Sequence, residues 1–305
     1  MDAIKSFAGL IMRTPIIAAL IVSGAAIVAL LLPPATSPIS FISGAALGLF
    51  TLRRGTRAGL LVMTIATATF SLFALVVVGT PSLALTLLGV LWAPIWLLSI
   101  ILRETVSLPL VITVALGLVA TGVGVIHWWV RDLPAWWQNF LLGTFARIGP
   151  EPGVELAQLI DGLAQVMTGL VAAGVLMSII GNLLLARWWQ SLLYHPGGFT
   201  AEFLSLRLHP AVGIVALVAM ALTQFGPSLL ASLGVDLVFV MMAAFFITGL
   251  AVVHGLNSNF GEPVGWLTGV YILTFIFPRQ MMTIIAATGL ADTWVDLRSR
   301  IKRGI

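Results

Sequence analysis

The longest stretch of the chain without an Asp, Glu, Lys or Arg lies between Arg57 and Arg103. A helix needs about 20 apolar residues to cross a bilayer, so this interval is long enough for two crossings, with the turn signal GTPS at 79–82 between them. Inside lipid, the backbone must satisfy its hydrogen bonds within the protein, and a helix does so within one segment. The interval therefore predicts an all-α polytopic integral membrane protein.

The rest of the chain follows the same pattern: 60% of the residues are hydrophobic and 9% are charged, where soluble domains have roughly a quarter charged. Turn signals divide the chain into nine apolar segments and predict a helical bundle of eight to ten transmembrane segments. The segments are 14–32, 38–52, 58–78, 82–102, 108–128, 160–186, 210–230, 235–254 and 264–290. Pro278 interrupts the last one, which predicts either one kinked span or two half-helices.

The predicted organisation has three parts: a six-span N-terminal membrane bundle (1–187), a cytoplasmic interfacial elbow (188–209) and C-terminal membrane segments with a basic tail (210–305). Lys and Arg in short loops favour the cytoplasmic side, which predicts a bacterial inner-membrane protein with both termini in the cytoplasm. The arginines lie at the ends of apolar runs rather than in one patch, so nucleic acid is not an expected partner. The bilayer is the predicted surrounding.

Two segments between the apolar runs are rich in aromatic residues. In the connection 129–159, Trp129, Trp136, Trp137 and Phe140 have the spacing of an amphipathic helix at headgroup depth. It is interpreted as a membrane-surface lid, with a dedicated ligand site as the alternative. The elbow, RWWQSLLYHPGGFTAEFLSLRLHP at 187–210, predicts two short surface helices, the second capped by Thr200 and stapled by Phe199 against Leu204.

The elbow is either an interfacial anchor or a docking surface for a cytoplasmic or membrane protein partner. Its candidate docking residues are Arg187, Trp188, Trp189, Tyr194, Pro196, Gly197, Gly198, Glu202 and Arg207.

Motifs for ATP use, metal-assisted hydrolysis or acyl transfer are absent from the sequence, so neither enzymatic activity nor a metal or other cofactor is predicted. Polar groups at membrane depth are costly and are therefore the first functional candidates. The candidates for binding a small-molecule ligand are Arg279, Gln280, His254, Asn257, Asn259, Glu262 and Asn182.

Arg279 is expected to face the interior, near Asp236 or the loop NSNFGEP at 257–263, and to accept an anion. The alternative is that its side chain extends to the membrane surface. His254 and Glu262 belong to HGLNSNFGEPVGW at 254–266, which either lines a cavity with irregular backbone or forms a hydrated turn.

Three stretches resemble the YybS-like family of bacterial multi-pass membrane proteins: SGAALGLFTLRRGTRAGL at 43–60, ARWWQSLLYHPGGFTAEFLSLRL at 186–208 and GLADTWVDLRSR at 289–300. The family has no established activity. It is similar in fold to the six-span, substrate-binding S components of energy-coupling factor transporters. This resemblance implies an S-component-like arrangement of the first six spans, whereas the C-terminal segments have no counterpart in an S component.

Three functions remain open. The first is a transporter or transport-associated substrate-binding protein for a small anionic or amphipathic solute. The second is a non-catalytic membrane scaffold or assembly factor, and the third is a lipid-active membrane enzyme. Because no nucleophile with an adjacent base can be recognised, the third is the weakest.

Overall fold

The computed structural model describes residues 2–31, 38–147, 154–260 and 265–298, and for residues 38, 154 and 258–260 it describes the backbone alone. All regular structure in these ranges is helical. The first helices are α1 (Asp2–Ile11), α2 (Pro15–Leu31), α3 (Pro38–Arg54), α4 (Thr56–Val78), α5 (Ser82–Leu87), α6 (Ala93–Thr105) and α7 (Leu108–Trp129). They are followed by α8 (Leu133–Phe145), α9 (Val154–Ala164), α10 (Met167–Tyr194), α11 (Gly198–Leu204), α12 (Pro210–Phe225), α13 (Ser228–Phe260), α14 (Gly265–Ile276) and α15 (Pro278–Val295).

Within the described residues, five helical segments are long and apolar enough to cross a membrane: α4, Ser82–Thr105, α7, α10 and Ser228–Asn257 within α13. The second of these joins α5 to α6 through a π-helical turn at Leu88–Trp92. Helices α1 and α2, bent by 113°, would make a sixth span if they form one. The predicted all-α, multi-pass membrane class is therefore confirmed. Helices α12 and α14 are apolar but shorter, so the total of eight to ten crossings stays a prediction.

Several predicted apolar runs are divided between two helices. The run 264–290 breaks between Ile276 and Pro278, so it forms two helices, which is one of the two alternatives that Pro278 left open. Gly226 and Pro227 end α12 before the predicted run 210–230 is complete. The run 160–186 breaks between α9 and α10 at 165–166, where the apolar sequence contains no Gly or Pro to indicate a turn.

The chain forms two compact units, each built from two separate stretches. Unit 1 comprises Met1–Ala115 and Met177–Ser205, and unit 2 comprises Leu116–Leu176 and Leu206–Ile305. The sequence interpretation divided the chain consecutively at 187 and 209. The units divide it differently, because α7 and α10 each contribute residues to both.

In unit 1, the buried side chains of Ser43 and Trp92 form hydrogen bonds between neighbouring helices. Ser43 Oγ on α3 donates to the carbonyl oxygen of Val22 on α2 over 2.8 Å and accepts a hydrogen bond from Trp92 Nε1 over 3.0 Å. Trp92 is completely buried and stacks edge-on with Phe70 of α4. This network ties four helical segments together without leaving its polar atoms unpaired in an apolar interior.

In unit 2, α13 and α15 approach so closely that only glycine fits at two crossing positions. A Cβ atom at Gly249 would clash with the carbonyl oxygen of Ile285, and one at Gly289 would clash with that of Phe245. Small residues of this kind let helix backbones pack tightly in membrane proteins, where van der Waals contact replaces the hydrophobic effect between helices.

Replacing Gly249 by Ala should destabilise unit 2 by about 1–3 kcal/mol, because the methyl group has no space between two helix backbones. Gly122→Ala in α7 is the matched control, since no atom lies within 4 Å of its added Cβ. Thermal unfolding of both variants in the same detergent measures the difference. Equal midpoints for Gly249→Ala and the wild type would show that the crossing is looser than described.

Candidate functional site

The buried acid Asp236 pairs with a buried histidine in unit 2. His127 lies in the last turn of α7, and its Nε2 is 2.7 Å from Oδ2 of Asp236 on α13. Only 8% of the His127 side chain and 4% of the Asp236 side chain are exposed. An ionisable pair within apolar helices is costly to bury, and such groups in membrane segments commonly mark ion or substrate pathways.

Gly169 provides the second hydrogen bond to this carboxylate. Its backbone N–H donates to Asp236 Oδ1 over 2.7 Å. Gly169 is the third residue of α10, where backbone N–H groups have no partner within the helix and the helix dipole favours a negative charge. A Cβ atom at position 169 would lie 2.8 Å from the Asp236 Cα, so glycine permits the close approach of the two helices.

The neighbouring Thr168 connects this pair to the aromatic helix α8. Trp137 Nε1 donates to Thr168 Oγ1 over 2.8 Å. The rings of Trp136, Trp137 and Phe140 contact one another, with centroids 4.8–5.7 Å apart. The predicted aromatic helix is thus present as α8, although Trp129 ends α7 instead of belonging to it. We call His127, Thr168, Gly169, Asp236 and Trp137 the acid–imidazole site.

His127 Nε2 and Asp236 Oδ2 can share one proton, which is bonded either to the imidazole nitrogen or to the carboxylate oxygen. The arrangement is therefore suited to gain or lose a proton inside an apolar unit. Among the described residues, no group of three or more His, Cys, Asp or Glu side chains is placed to hold a metal ion.

Sequence reasoning missed this pairing. Asp236 was considered only as a partner of Arg279, and His127 was not singled out. The available signal was that each is an ionisable residue within or at the end of an apolar run. The pairing itself joins residues 109 positions apart, which no local pattern reveals.

The expected interior position of Arg279 is wrong. Its side chain is exposed, and none of the ion pairs in the described part of the chain includes it. Pro278 begins α15, which leaves Arg279 in the exposed first turn, and Asp236 already bonds to His127 and Gly169. Gln280 is also exposed.

Two of the other ligand-binding candidates, His254 and Asn257, lie on α13. His254 on α13 contacts the carbonyl oxygen of Leu250 through Nδ1 over 2.8 Å and the hydroxyl of Tyr271 on α14 through Nε2 over 3.1 Å. Asn257 Oδ1, three residues further along α13, is buried without a hydrogen-bond partner. Glu262 and the Asn259 side chain lie outside the described residues.

Asn182 belongs to the tightly packed interior of unit 1. It is 1% exposed, and its Nδ2 donates to the carbonyl oxygen of Ser178 over 2.7 Å. Its Oδ1 has no conventional partner and points at Gly44 of α3, where a Cβ would lie 2.5 Å from it. Asn182 therefore packs closely against Gly44 of α3.

The elbow contains the predicted short helix, α11, but its start differs from the prediction. The cap position is Gly197, with a left-handed φ of 85°, and not Thr200. Phe199 stacks on Phe203, with ring centroids 5.9 Å apart. Arg187 on α10 forms a two-pronged ion pair with Glu202 of α11, and its Nη1 donates to Gln190 Oε1 over 2.6 Å.

Several predicted docking residues are occupied within their own unit. Trp189 is 4% exposed and packs edge-on against Phe7 of α1. Arg207 lies 3.3 Å from the carboxylate of Asp296 and donates to the carbonyl oxygen of Thr293. Among the remaining docking candidates, Trp188 and Gly198 are half-buried, whereas Tyr194, Pro196 and Gly197 are exposed.

Gly197→Val should destabilise α11 and loosen the Arg187–Glu202 pair, because a β-branched residue is strained by about 1–2 kcal/mol or more in the left-handed region. Gly197→Asn is the matched control, since Asn tolerates this conformation better. Hydrogen exchange at residues 198–204 measures the effect. Equal protection in the two variants would contradict the role of Gly197.

Comparisons of the chain with protein-family models, with curated proteins and with solved structures find no match. The resemblance to the YybS-like family and the S-component-like arrangement therefore stay predictions from the sequence. The His127–Asp236 pair and its surroundings are therefore the structural basis for a proposed function.

Proposed function

We propose that this multi-pass membrane protein is a transporter or transport-associated substrate-binding protein for a small anionic or amphipathic solute. The observation that carries the proposal is the buried His127–Asp236 pair at the start of α10. A solute with an apolar body and one polar group matches the aromatic rings of α8 and the ionisable pair, which are linked through the Trp137–Thr168 hydrogen bond. The proposal assigns no catalysis to the chain.

Proton movement at Asp236 links chemistry to helix contacts. In its ionised form, the carboxylate accepts hydrogen bonds from Gly169 N–H and from the imidazole, which holds the start of α10 to α13 and α7. A proton added to the carboxylate removes the negative charge that the helix terminus favours. Protonation or solute binding at this site would thus weaken contacts among three helices, as coupling in a transporter requires.

The scaffold alternative draws less support. A docking surface needs side chains that are available to a partner, whereas Arg187, Trp189 and Arg207 already have partners within their units. The exposed remainder of the elbow is small and centres on the turn at Pro196 and Gly197.

We further propose that the protein lies in a bacterial inner membrane with both termini in the cytoplasm, supported by the basic residues that flank the apolar runs. Alkaline phosphatase, which is active only in the periplasm, should then give no signal when fused after Ile305. The same reporter inserted at 148–153, in the connection expected outside, should give a strong signal. Activity of the Ile305 fusion would rule out the proposed topology.

Asp236→Asn should abolish solute-dependent proton movement, because the amide cannot take up the proton. Proteoliposomes that contain a pH-sensitive dye would be exposed to a small-molecule extract of the expression host. The internal pH of proteoliposomes that contain the wild-type protein should change. The wild-type protein should also retain at least one solute detectable by mass spectrometry. His127→Gln should show the same loss as Asp236→Asn.

Asp161→Asn is the matched control, since Asp161 is an exposed carboxylate on α9 in the same unit. It should behave like the wild type. A wild-type protein that retains no solute and moves no protons would exclude the transport proposal. Equal activity of Asp236→Asn and the wild type would exclude the pair as its site.

A further inference from the structure

The net charge of the protein is concentrated in unit 1. Its two stretches contain seven basic and three acidic residues, and they carry the whole net charge of +4. The basic residues are Lys5, Arg13, Arg53, Arg54, Arg57, Arg103 and Arg187, and the acidic residues are Asp2, Glu104 and Glu202. Glu202 pairs with Arg187, Glu104 lies 3.9 Å from Arg103, and no ion pair among the described residues includes an arginine of the α3–α4 turn.

An open cleft of about 370 Å³ lies at this turn and is lined by Arg53, Arg54 and Tyr194. The guanidinium carbon of Arg53 lies 4.3 Å from the centre of the Tyr194 ring. Arg54 donates to the carbonyl oxygen of Met12 over 3.3 Å. None of the ion pairs within the described residues includes either arginine, and all three lining side chains are exposed.

The backbone fixes the positions from which the side chains of Arg53 and Arg54 extend. α3 ends at Arg54, and Gly55, with a φ of 93°, turns the chain directly into α4. Arg103 donates to the carbonyl oxygen of Leu52 and so satisfies one of the free carbonyls at the end of α3. The cation–π contact restricts Arg53 in advance, which lowers the entropy that it would lose on binding an anion.

We propose that Arg53, Arg54 and Tyr194 bind a phosphate group, carried either by an anionic phospholipid headgroup or by a soluble phosphate compound. The two guanidinium groups, which form no ion pair among the described residues, match the charge and the oxygen geometry of phosphate. Arginine donates two parallel hydrogen bonds to such a group. The Tyr194 hydroxyl supplies a third donor. Basic pockets between membrane helices are suited to anionic headgroups. This site is independent of the proposed transport function.

Native mass spectrometry of the purified full chain tests the site with phosphatidylglycerol and phosphatidylcholine of identical acyl chains. The wild type should bind phosphatidylglycerol more tightly. Arg53→Gln should weaken this binding about tenfold, as expected for the loss of a charge-assisted hydrogen bond. Arg53→Lys should lie between the two, because it keeps the charge but loses the two-pronged geometry.

Arg57→Gln is the control for net charge: it removes one exposed arginine that does not line the cleft and should leave the affinity unchanged. Tyr194→Phe keeps the ring and should bind more tightly than Tyr194→Leu, which loses it. Thermal midpoints without lipid identify any variant that is simply unfolded. Arg53 has the Tyr194 ring as its described contact, so Arg53→Gln should remain folded.

Inorganic phosphate distinguishes the two sources of the ligand. If it displaces phosphatidylglycerol or binds alone, the site takes soluble phosphate. If phosphatidylglycerol binds and phosphate does not compete, the site takes a lipid headgroup. The proposal is overturned if neither probe binds, if phosphate does not bind and the two lipids bind equally, or if Arg53→Gln weakens binding no more than Arg57→Gln.

Discussion

A polar group inside a membrane protein can form hydrogen bonds only with the protein itself, because the lipid core offers none. The hydroxyl groups of the spans follow this rule locally: Thr67 on α4, for example, donates to the carbonyl oxygen of Met63 one turn earlier. Longer-range partners are needed where a side chain cannot reach its own backbone. Trp92 depends on Ser43 in this way, and Asp236 depends on His127 and Gly169. The positions of these few groups decide which helices must meet.

Glycine residues make several of these close contacts between helices sterically possible. Gly44 leaves room for Asn182, Gly169 lets the start of α10 reach Asp236, and Gly249 and Gly289 let α13 and α15 cross at backbone distance. In a bilayer the helices are not driven together by water, so such close contacts contribute much of the packing energy. The acid–imidazole site is consequently rigid where the backbones touch and adjustable where a proton can be added.

Some of the arginines are exposed, and others are paired with carboxylates. The arginines at the α3–α4 turn are exposed, and none of the ion pairs among the described residues includes them, whereas Arg187 and Arg298 are fixed by carboxylates within their units. Asp292, 2% exposed, accepts from both Arg298 and the backbone N–H of Leu297, which closes the end of α15. An arginine that is already paired acts in folding, while one that is unpaired and exposed is available to an anion.

The sequence by itself determined the class of the protein and the position of its central spans. The bounds of α4, of the segment Ser82–Thr105 and of α7 lie close to those of the predicted runs 58–78, 82–102 and 108–128, because burial in lipid depends on local composition. The break between α9 and α10 and the cap at Gly197 were not predictable, and the sequence left the exposure of Arg279 as one of two alternatives, since each depends on which neighbours occupy the surrounding space. Only the tertiary structure decided that His127 and Asp236 meet, because pairing across 109 residues is set by helix packing and not by any local periodicity.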